Sequence, residues 1–448
     1  MTITVTDDRP DAVPARAAST EPTQSAAGWW AVIVLTLANV SGFIDRQILS
    51  LLVAPLKRDL GITDTQVSLL MGLAFVLFST TLSIPLARLA DRASRRAVIG
   101  GGVAVWSVMT ALSGVARSYG QLLAARIGVG IGEAALQAPA VSLITDLFPR
   151  RTLARALSVY TLGTFLGSGL AYLIGGRIVA AASREGSWLL PIVGAVRPWQ
   201  AVFLAIGIPG LLIALLLLTV REPPRVRATT GGSVRDLLAW AARHRTAFLF
   251  VSLGFAASAS VNYAIAGWLA THLQRTFDWD VARAGTVQGT LTMTVGVCGV
   301  LLGGWLTDRL RATGRQDAPL LTGIIGAVGM LVCAGSYPLI DAPPVVIVLL
   351  ALVNIFAALP WGAASAAASM LVPAPLRAQG VALFFVVVNL LSGLIGPTSV
   401  ALVTDYVFRD ANALRYALSV VTVIGMTIAI ALLFAGRRAF VIAAQAED

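Results

Sequence analysis

The sequence predicts an all-α membrane protein in which twelve transmembrane helices form two pseudo-symmetric six-helix bundles. Hydrophobic residues make up 57% of the 448 residues and charged residues only 12%, with a mean hydropathy of +0.82, which excludes an ordinary soluble protein. Apolar stretches long enough to cross about 30 Å of hydrocarbon occur twelve times. An internal repeat relates the first half of the chain to the second.

The apolar stretches form two sets of six, separated by a polar, arginine-rich segment. The first set covers approximately 29–54, 65–88, 96–116, 121–146, 154–181 and 199–220, and the second 247–273, 282–306, 318–340, 344–372, 378–404 and 412–436. We therefore predict a disordered cytoplasmic tail at 1–28, bundles at 29–220 and 246–436, a linker at 221–245 and a second tail at 437–448. Within the linker, the short amphipathic stretch 234–243 is either an interfacial helix or a plain connection.

The repeat is visible at equivalent helix ends. Leu89-Ala90-Asp91-Arg92 follows the second stretch, and Leu306-Thr307-Asp308-Arg309 follows the eighth, at an offset of 217 residues. The same offset places Asp45-Arg46 on Asn262-Tyr263. The two halves are thus related, and their equivalent polar positions have diverged from charged to neutral.

The basic residues indicate orientation rather than nucleic-acid binding. The net charge is +11, but the arginines are dispersed in short loops. Placing the N-terminus in the cytoplasm puts twenty Lys and Arg residues in cytoplasmic segments and nine on the other side, which predicts that both termini are cytoplasmic. High Ala and Arg with the single Lys57 point to a bacterial inner membrane.

Four charged residues lie deep inside apolar stretches, where an ionised side chain is costly unless it faces a bundle interior or a wet cavity. They are Asp45 and Arg46 in the first stretch and Arg126 and Glu133 in the fourth. Arg126 and Glu133 are seven residues apart and share one helix face. We expect Arg126 to lie between the carboxylates of Asp45 and Glu133 and to neutralise only one, leaving the other to hold a proton. The alternative is a static ion pair that joins the two helices.

The second half offers polar and aromatic rather than charged candidates for a cavity wall. With Arg46, Arg126 and Glu133, the predicted substrate-binding residues are Asn262, Tyr263, Asn354, Trp361 and Asn389. Each of the latter five has packing or a helix-to-helix hydrogen bond as its alternative role. One charged and one largely apolar wall would suit an amphiphile with an anionic head.

The loop Ala87-Arg88-Leu89-Ala90-Asp91-Arg92-Ala93-Ser94-Arg95-Arg96 resembles the G-x-L-x-D-R-x-G-R-R signature of the major facilitator superfamily, with Ala87 and Ser94 in place of both glycines. The resemblance covers essentially the whole chain and implies the major facilitator fold. It assigns conformational gating to Asp91, Arg92, Arg95 and Arg96 and, in the second copy, to Asp308 and Arg309. Ordinary helix-end charges are the alternative.

Two further stretches narrow the resemblance. The segments 42–50, Gly-Phe-Ile-Asp-Arg-Gln-Ile-Leu-Ser, and 126–134, Arg-Ile-Gly-Val-Gly-Ile-Gly-Glu-Ala, are similar to the spinster-type branch, whose members are linked to lysolipid or sphingosine-1-phosphate export. This implies proton-coupled secondary active transport of a lipid-like or amphiphilic substrate by alternating access. Asp45 and Glu133 would then be the protonatable pair, with Arg126 between them.

The sequence is also compatible with several other functions. One is a symporter of small organic anions such as sugar acids, or a multidrug exporter. An intramembrane enzyme is disfavoured, because the two histidines, His244 and His272, lie near membrane edges and neither a metal-ligand spacing nor a Gly-x-Ser-x-Gly elbow occurs. A channel or receptor would not accumulate its ligand. The expected partners are an amphiphile, protons and membrane lipids, without nucleic acid, metal or cofactor, and the expected state is a monomer.

Overall fold

The structure is a computed structural model that describes residues 26–185, 188–190, 194–223 and 234–445. In these ranges it contains twelve helices long and apolar enough to cross a membrane, which confirms the predicted fold class. Helices 1 to 6 are Ala26–Leu51, Asp64–Arg92, Arg95–Ser113, Tyr119–Leu147, Arg151–Arg184 and Pro198–Leu217. Helices 7 to 12 are Arg245–Phe277, Val281–Ala312, Ala318–Leu339, Pro343–Leu371, Gln379–Phe408 and Ala411–Gln445. We call the side on which helix 1 begins and helix 12 ends the terminal side, and the other the far side.

The ends of the chain differ from the sequence prediction. Helix 1 begins at Ala26, and residues 1–25 of the predicted tail lie outside the described residues, as do 224–233 of the linker and 446–448. Helix 12 continues to Gln445 through most of the predicted second tail, 437–448. The reason is packing, because Phe440 and Ala443 are buried in the same apolar cluster as the linker residues Leu237 and Trp240.

Three elements outside the membrane helices complete the described structure. A short helix, Val53–Leu60, follows helix 1 and ends at Gly61, whose φ of 65° is a conformation that glycine adopts without strain. Strands β1 (Trp188–Leu190) and β2 (Gly194–Val196) pair antiparallel between helices 5 and 6, a hairpin that the sequence reading missed. The predicted linker helix, Val234–Arg243, packs on helix 7, where the rings of Trp240 and Phe248 are 6.2 Å apart.

Prolines interrupt the equivalent helices 4 and 10. Helix 4 consists of Tyr119–Glu133 and Gln137–Leu147, and helix 10 of Pro343–Ala358 and Pro360–Leu371. Pro139 has no N–H for the carbonyl of Ala135, and its ring crowds that carbonyl, so the helix opens over the preceding residues. This break makes Glu133 the last residue of the first helical piece.

The two halves of the molecule are joined on the far side. The guanidinium of Arg275 on helix 7 donates to both carboxylate oxygens of Asp64 on helix 2, at 2.8 and 2.9 Å. The backbone N–H and the hydroxyl of Thr65 both donate to Asp405 at 2.7 Å. Near mid-membrane, Gly72 lies so close to the carbonyl of Gly393 that no larger side chain fits.

Candidate functional site

The first of two ion pairs between helices 1 and 4 is fully enclosed. Nη1 of Arg126 donates to the Asp45 carboxylate at 3.0 Å, and Nη2 reaches the Asp45 carbonyl at 3.4 Å. The hydroxyl of Thr110 on helix 3 donates to the other carboxylate oxygen at 2.8 Å. The side chains of Arg126 and Asp45 are 1% and 2% exposed, so the pair is shielded from solvent and the carboxylate is well supplied with donors.

The second ion pair is formed by Arg46 and Glu133 and is partly exposed. Nη2 of Arg46 donates to Glu133 Oε2 at 2.6 Å, and the guanidinium lies over the rings of Phe43 and Phe75, 4.8 and 4.5 Å from their centroids. The Arg46 side chain is 23% exposed and that of Glu133 is 6% exposed. Glu133 Oε1 and Arg46 Nε are buried and have no hydrogen-bond partner in the described part of the chain. Arg126 Nε is likewise without a partner there, so the two pairs differ in their carboxylates: both oxygens of Asp45 have donors, and one oxygen of Glu133 has none.

The structure brings the four predicted charges together, but in a different pairing. The prediction placed Arg126 between the two carboxylates and left one of them without a counter-charge. In the structure Arg126 pairs with Asp45, and Glu133 has a counter-charge of its own in Arg46. Arg46 is turned about 100° from Asp45 on helix 1, so it faces a different neighbour. One arginine from each helix crosses to the other helix, and the cluster holds two positive and two negative charges.

The predicted residues of the second half divide into three groups. Tyr263 on helix 7 interacts electrostatically with the Arg46 guanidinium and so joins the cluster across the interface between the halves. Asn262 donates to the Ala357 carbonyl at 3.2 Å and so joins helix 7 to helix 10, whereas Asn354 donates to a carbonyl of its own helix. Trp361 and Asn389 are exposed.

The sequence did not predict a second set of polar side chains, which lies beside the cluster. Gln137 follows Glu133 by one turn of helix 4 and donates to Asn39 Oδ1 on helix 1 at 3.1 Å, while its own oxygen accepts from the Tyr160 hydroxyl of helix 5 at 3.1 Å. Asn39 in turn donates to the Tyr160 carbonyl and to Thr164. The spacing of four residues between Glu133 and Gln137 was the available signal. We call Asn39, Gln137, Tyr160 and Thr164 the polar shelf.

The predicted gating residues take different positions. Arg95 is buried and pairs with Asp146 of helix 4 and Glu222 beyond helix 6, while Arg96 donates to the carbonyls of Leu218 and Val220. These bonds tie helix 3 to its neighbours within one bundle. Arg92, Asp308, Arg309 and Asp91 are exposed at helix ends, and Arg309 lies over the Trp305 ring.

Glu222, which the sequence reading did not single out, has a perturbed pKa. Its partial burial alone would raise the pKa of the carboxyl. Hydrogen bonds from the Ser94 hydroxyl, from the backbone and side chain of Arg95 and from the backbone of Arg96 outweigh this effect and lower the pKa below its usual range.

The family follows from comparison with known proteins. Residues 35–397 match the model of the Major Facilitator Superfamily. The chain belongs to this superfamily. It is 28% identical over 393 residues to an MFS-type efflux pump of Mycolicibacterium smegmatis, an alignment that covers 86% of each chain. It is also 26% identical over 326 residues to a probable L-galactonate transporter of Escherichia coli, covering 69% of this chain and 68% of the relative.

The chain is also similar to spinster proteins. Protein spinster of Drosophila melanogaster is 28% identical over 340 residues, which cover 72% of this chain and 51% of the longer relative. The crystal structure of a bacterial homologue of the human lysosomal transporter spinster, in an inward-facing and unoccupied conformation, superimposes with a TM-score of 0.78 at 26% identity, covering 95% of this chain and 98% of that one. The protein is therefore a spinster-like, multi-pass membrane transporter of a small molecule that works by alternating access.

Proposed function

We propose that the protein couples proton movement to the transport of an amphiphile with an anionic head, and that Glu133 carries the proton. The observation that supports this most is the contrast between the two ion pairs. The Asp45 carboxylate is paired and hydrogen-bonded on both oxygens, whereas Glu133 keeps one buried oxygen without a partner and shares a partly exposed arginine. A carboxylate in that state gains more from taking up a proton than one whose oxygens are both satisfied.

In this proposal the substrate competes with Glu133 for Arg46. An anionic head that binds the Arg46 guanidinium leaves the Glu133 carboxylate buried without its counter-charge, which favours protonation. When the head leaves, Glu133 releases its proton and pairs with Arg46 again. Tyr263 of the second half, which interacts with Arg46, would make this exchange depend on how the two halves are arranged.

The amphiphile is supported by the distribution of charge. The membrane-embedded part of the second half contains no Asp, Glu, Lys or Arg between Arg245 and Arg275, between Arg283 and Asp308, or between Arg377 and Asp405. A ligand between the halves would thus meet charge on one wall and mostly apolar side chains on the other. We further propose a transporter rather than an enzyme, acting as a monomer in a bacterial inner membrane with both termini in the cytoplasm.

Symport of a sugar acid is the second candidate. It is favoured by the similarity to the probable L-galactonate transporter and by the polar shelf, whose amide and hydroxyl groups suit a polyol chain. The similarity to an efflux pump makes a multidrug exporter the third.

The deciding experiment is uptake into proteoliposomes under an imposed pH gradient, with radiolabelled lysolipid and sugar acid in parallel. For Glu133→Gln we expect gradient-driven uptake to fall to the rate measured without a gradient, because glutamine cannot carry the proton. The matched control is Asp278→Asn, an exposed acid in a left-handed conformation that asparagine tolerates. Unchanged pH response in Glu133→Gln would refute the proton role, and uptake of sugar acid but not lysolipid would replace the amphiphile with the second candidate.

A further inference from the structure

An apolar groove lies on the outside of the first bundle, between helices 2 and 3. It has a volume of about 370 Å³. Its walls are Leu86 and Leu89 of helix 2 and Ala97, Val98, Gly101, Gly102 and Val105 of helix 3, and its floor is Ile131, Gly132 and Ala135 of helix 4. Leu89, Val105 and Ile131 are 49%, 41% and 38% exposed, so the groove opens outward at membrane depth, where its surroundings are lipid.

The length of the groove matches one leaflet of a bilayer. Its helix 3 wall begins at Ala97, two residues after the helix starts on the terminal side, and ends at Val105. Eight residues of α-helix span about 12 Å, compared with about 15 Å for half of the hydrocarbon core. Gly101 leaves room at the centre, since a Cβ atom there would meet no atom within 4 Å.

A positive charge lies at the terminal-side end of this groove. Arg92 follows the wall residue Leu89 by three positions on helix 2, so it continues the same face at the depth of lipid headgroups. It is exposed and makes no ion pair within the described ranges. A neighbouring cavity of about 60 Å³ is lined by Arg95 but also by Asp91, so the exposed Arg92 is the better partner for an anion.

The groove also lies directly behind the break that carries Glu133. Gly132 and Ala135 flank that residue, and Gly102 of helix 3 packs so closely on them that a Cβ at position 102 would come within 2.6 Å of the Gly132 carbonyl. Anything bound in the groove therefore lies against Ile131, Gly132 and Ala135, the residues around the break in helix 4.

We propose that this groove is a binding site for one anionic membrane lipid, with an acyl chain between helices 2 and 3 and the headgroup phosphate on Arg92. The lipid packs against residues 131–135 and stabilises the break that positions Glu133. This site is separate from the two ion pairs, and lipid binding there is independent of which substrate the protein transports.

Native mass spectrometry of the full-length protein in detergent tests the site, with phosphatidylglycerol and phosphatidylcholine of identical acyl chains as probes. We expect the wild type to retain one phosphatidylglycerol with about fivefold preference over phosphatidylcholine, the contribution of one arginine to an anionic headgroup. Arg92→Gln removes the preference and keeps the acyl-chain site. Gly101→Trp fills the groove and loses both lipids.

The matched control is Gly304→Trp on helix 8, where a Cβ atom would also meet no atom within 4 Å. It retains the lipid as the wild type does. Equal retention by Gly101→Trp and Gly304→Trp would overturn the groove site, and an unchanged preference in Arg92→Gln would overturn the headgroup assignment.

Hydrogen exchange of the backbone amides at 131–136 tests the link to helix 4. Phosphatidylglycerol slows their exchange in the wild type and in Gly304→Trp but not in Gly101→Trp. Exchange that is the same with and without lipid in the wild type would contradict the stabilising role.

Discussion

Two ion pairs of the same chemistry join helix 1 to helix 4, yet their surroundings differ. Asp45 and Arg126 are sealed from solvent, and both oxygens of the Asp45 carboxylate have donors. The Arg46 side chain is instead 23% exposed, and one buried oxygen of Glu133 has no hydrogen-bond partner among the described residues. Adjacent residues on helix 1 thus serve two purposes because they face different neighbours. In the proposed mechanism the enclosed pair fixes the two helices, and the partly exposed pair exchanges its partners.

The largest loss of stability should come from removing Arg126, and removing Arg46 provides the comparison. Arg126→Met leaves the Asp45 carboxylate buried without a counter-charge, and we expect a loss of about 3–5 kcal/mol in the free energy of unfolding. Arg46→Met should cost clearly less, because the proposed proton uptake by Glu133 would remove the unpaired charge that Arg46→Met leaves behind. Chemical denaturation of the purified variants in one detergent measures both.

The control for this comparison is the double variant Asp45→Leu, Arg126→Met. It removes both charges together and should recover most of the stability that Arg126→Met loses, since apolar side chains often replace buried ion pairs at little cost. Equal losses for the two single arginine variants would mean that the pairs do not differ in role.

An intermediate effect is expected at Thr110. Thr110→Val removes the hydroxyl that donates to Asp45 at 2.8 Å and keeps the shape of the side chain. Hydrogen bonds to charged groups contribute about 1.5–3 kcal/mol, so the loss should fall in that range. Thr145→Val is the matched control, because that hydroxyl is exposed and bonds only a carbonyl of its own helix. A loss at Thr110 no larger than at Thr145 would contradict the view that Asp45 depends on this donor.

The smallest effect concerns an ion pair outside the membrane, Arg95 with Glu222. The pKa of Glu222 is lower in the folded protein than in the unfolded chain, so its contribution is present above the unfolded pKa and lost as the pH falls through the folded pKa. We expect that contribution to be the smallest of these effects, because Arg95 keeps Asp146 as a counter-charge when Glu222 is neutral. The difference in Tm between the wild type and Glu222→Gln should therefore shrink between pH 7 and pH 3, and a constant difference would contradict the assignment.

The site was only partly predictable from the sequence. Charges inside an apolar stretch must find one another, so Asp45, Arg46, Arg126 and Glu133 could be expected to lie together. Their pairing could not, because it depends on the rotation of helix 1 against helix 4 and on the break before Pro139. Asp64 illustrates the same limit. It pairs with Lys57, seven residues away, and also with Arg275, 211 residues away, and nothing in the spacing along the chain indicates the second partner.

The sequence by itself determined the number of membrane helices, the relation between the halves and the depth of the charged residues, because hydrocarbon accepts only long apolar helices and penalises every buried charge. The tertiary structure decided which arginine serves which carboxylate, how Tyr263 of the second half reaches Arg46, and where Gly101 leaves a groove toward lipid. Those features depend on distances and rotations between helices far apart in the chain, which composition and periodicity do not encode.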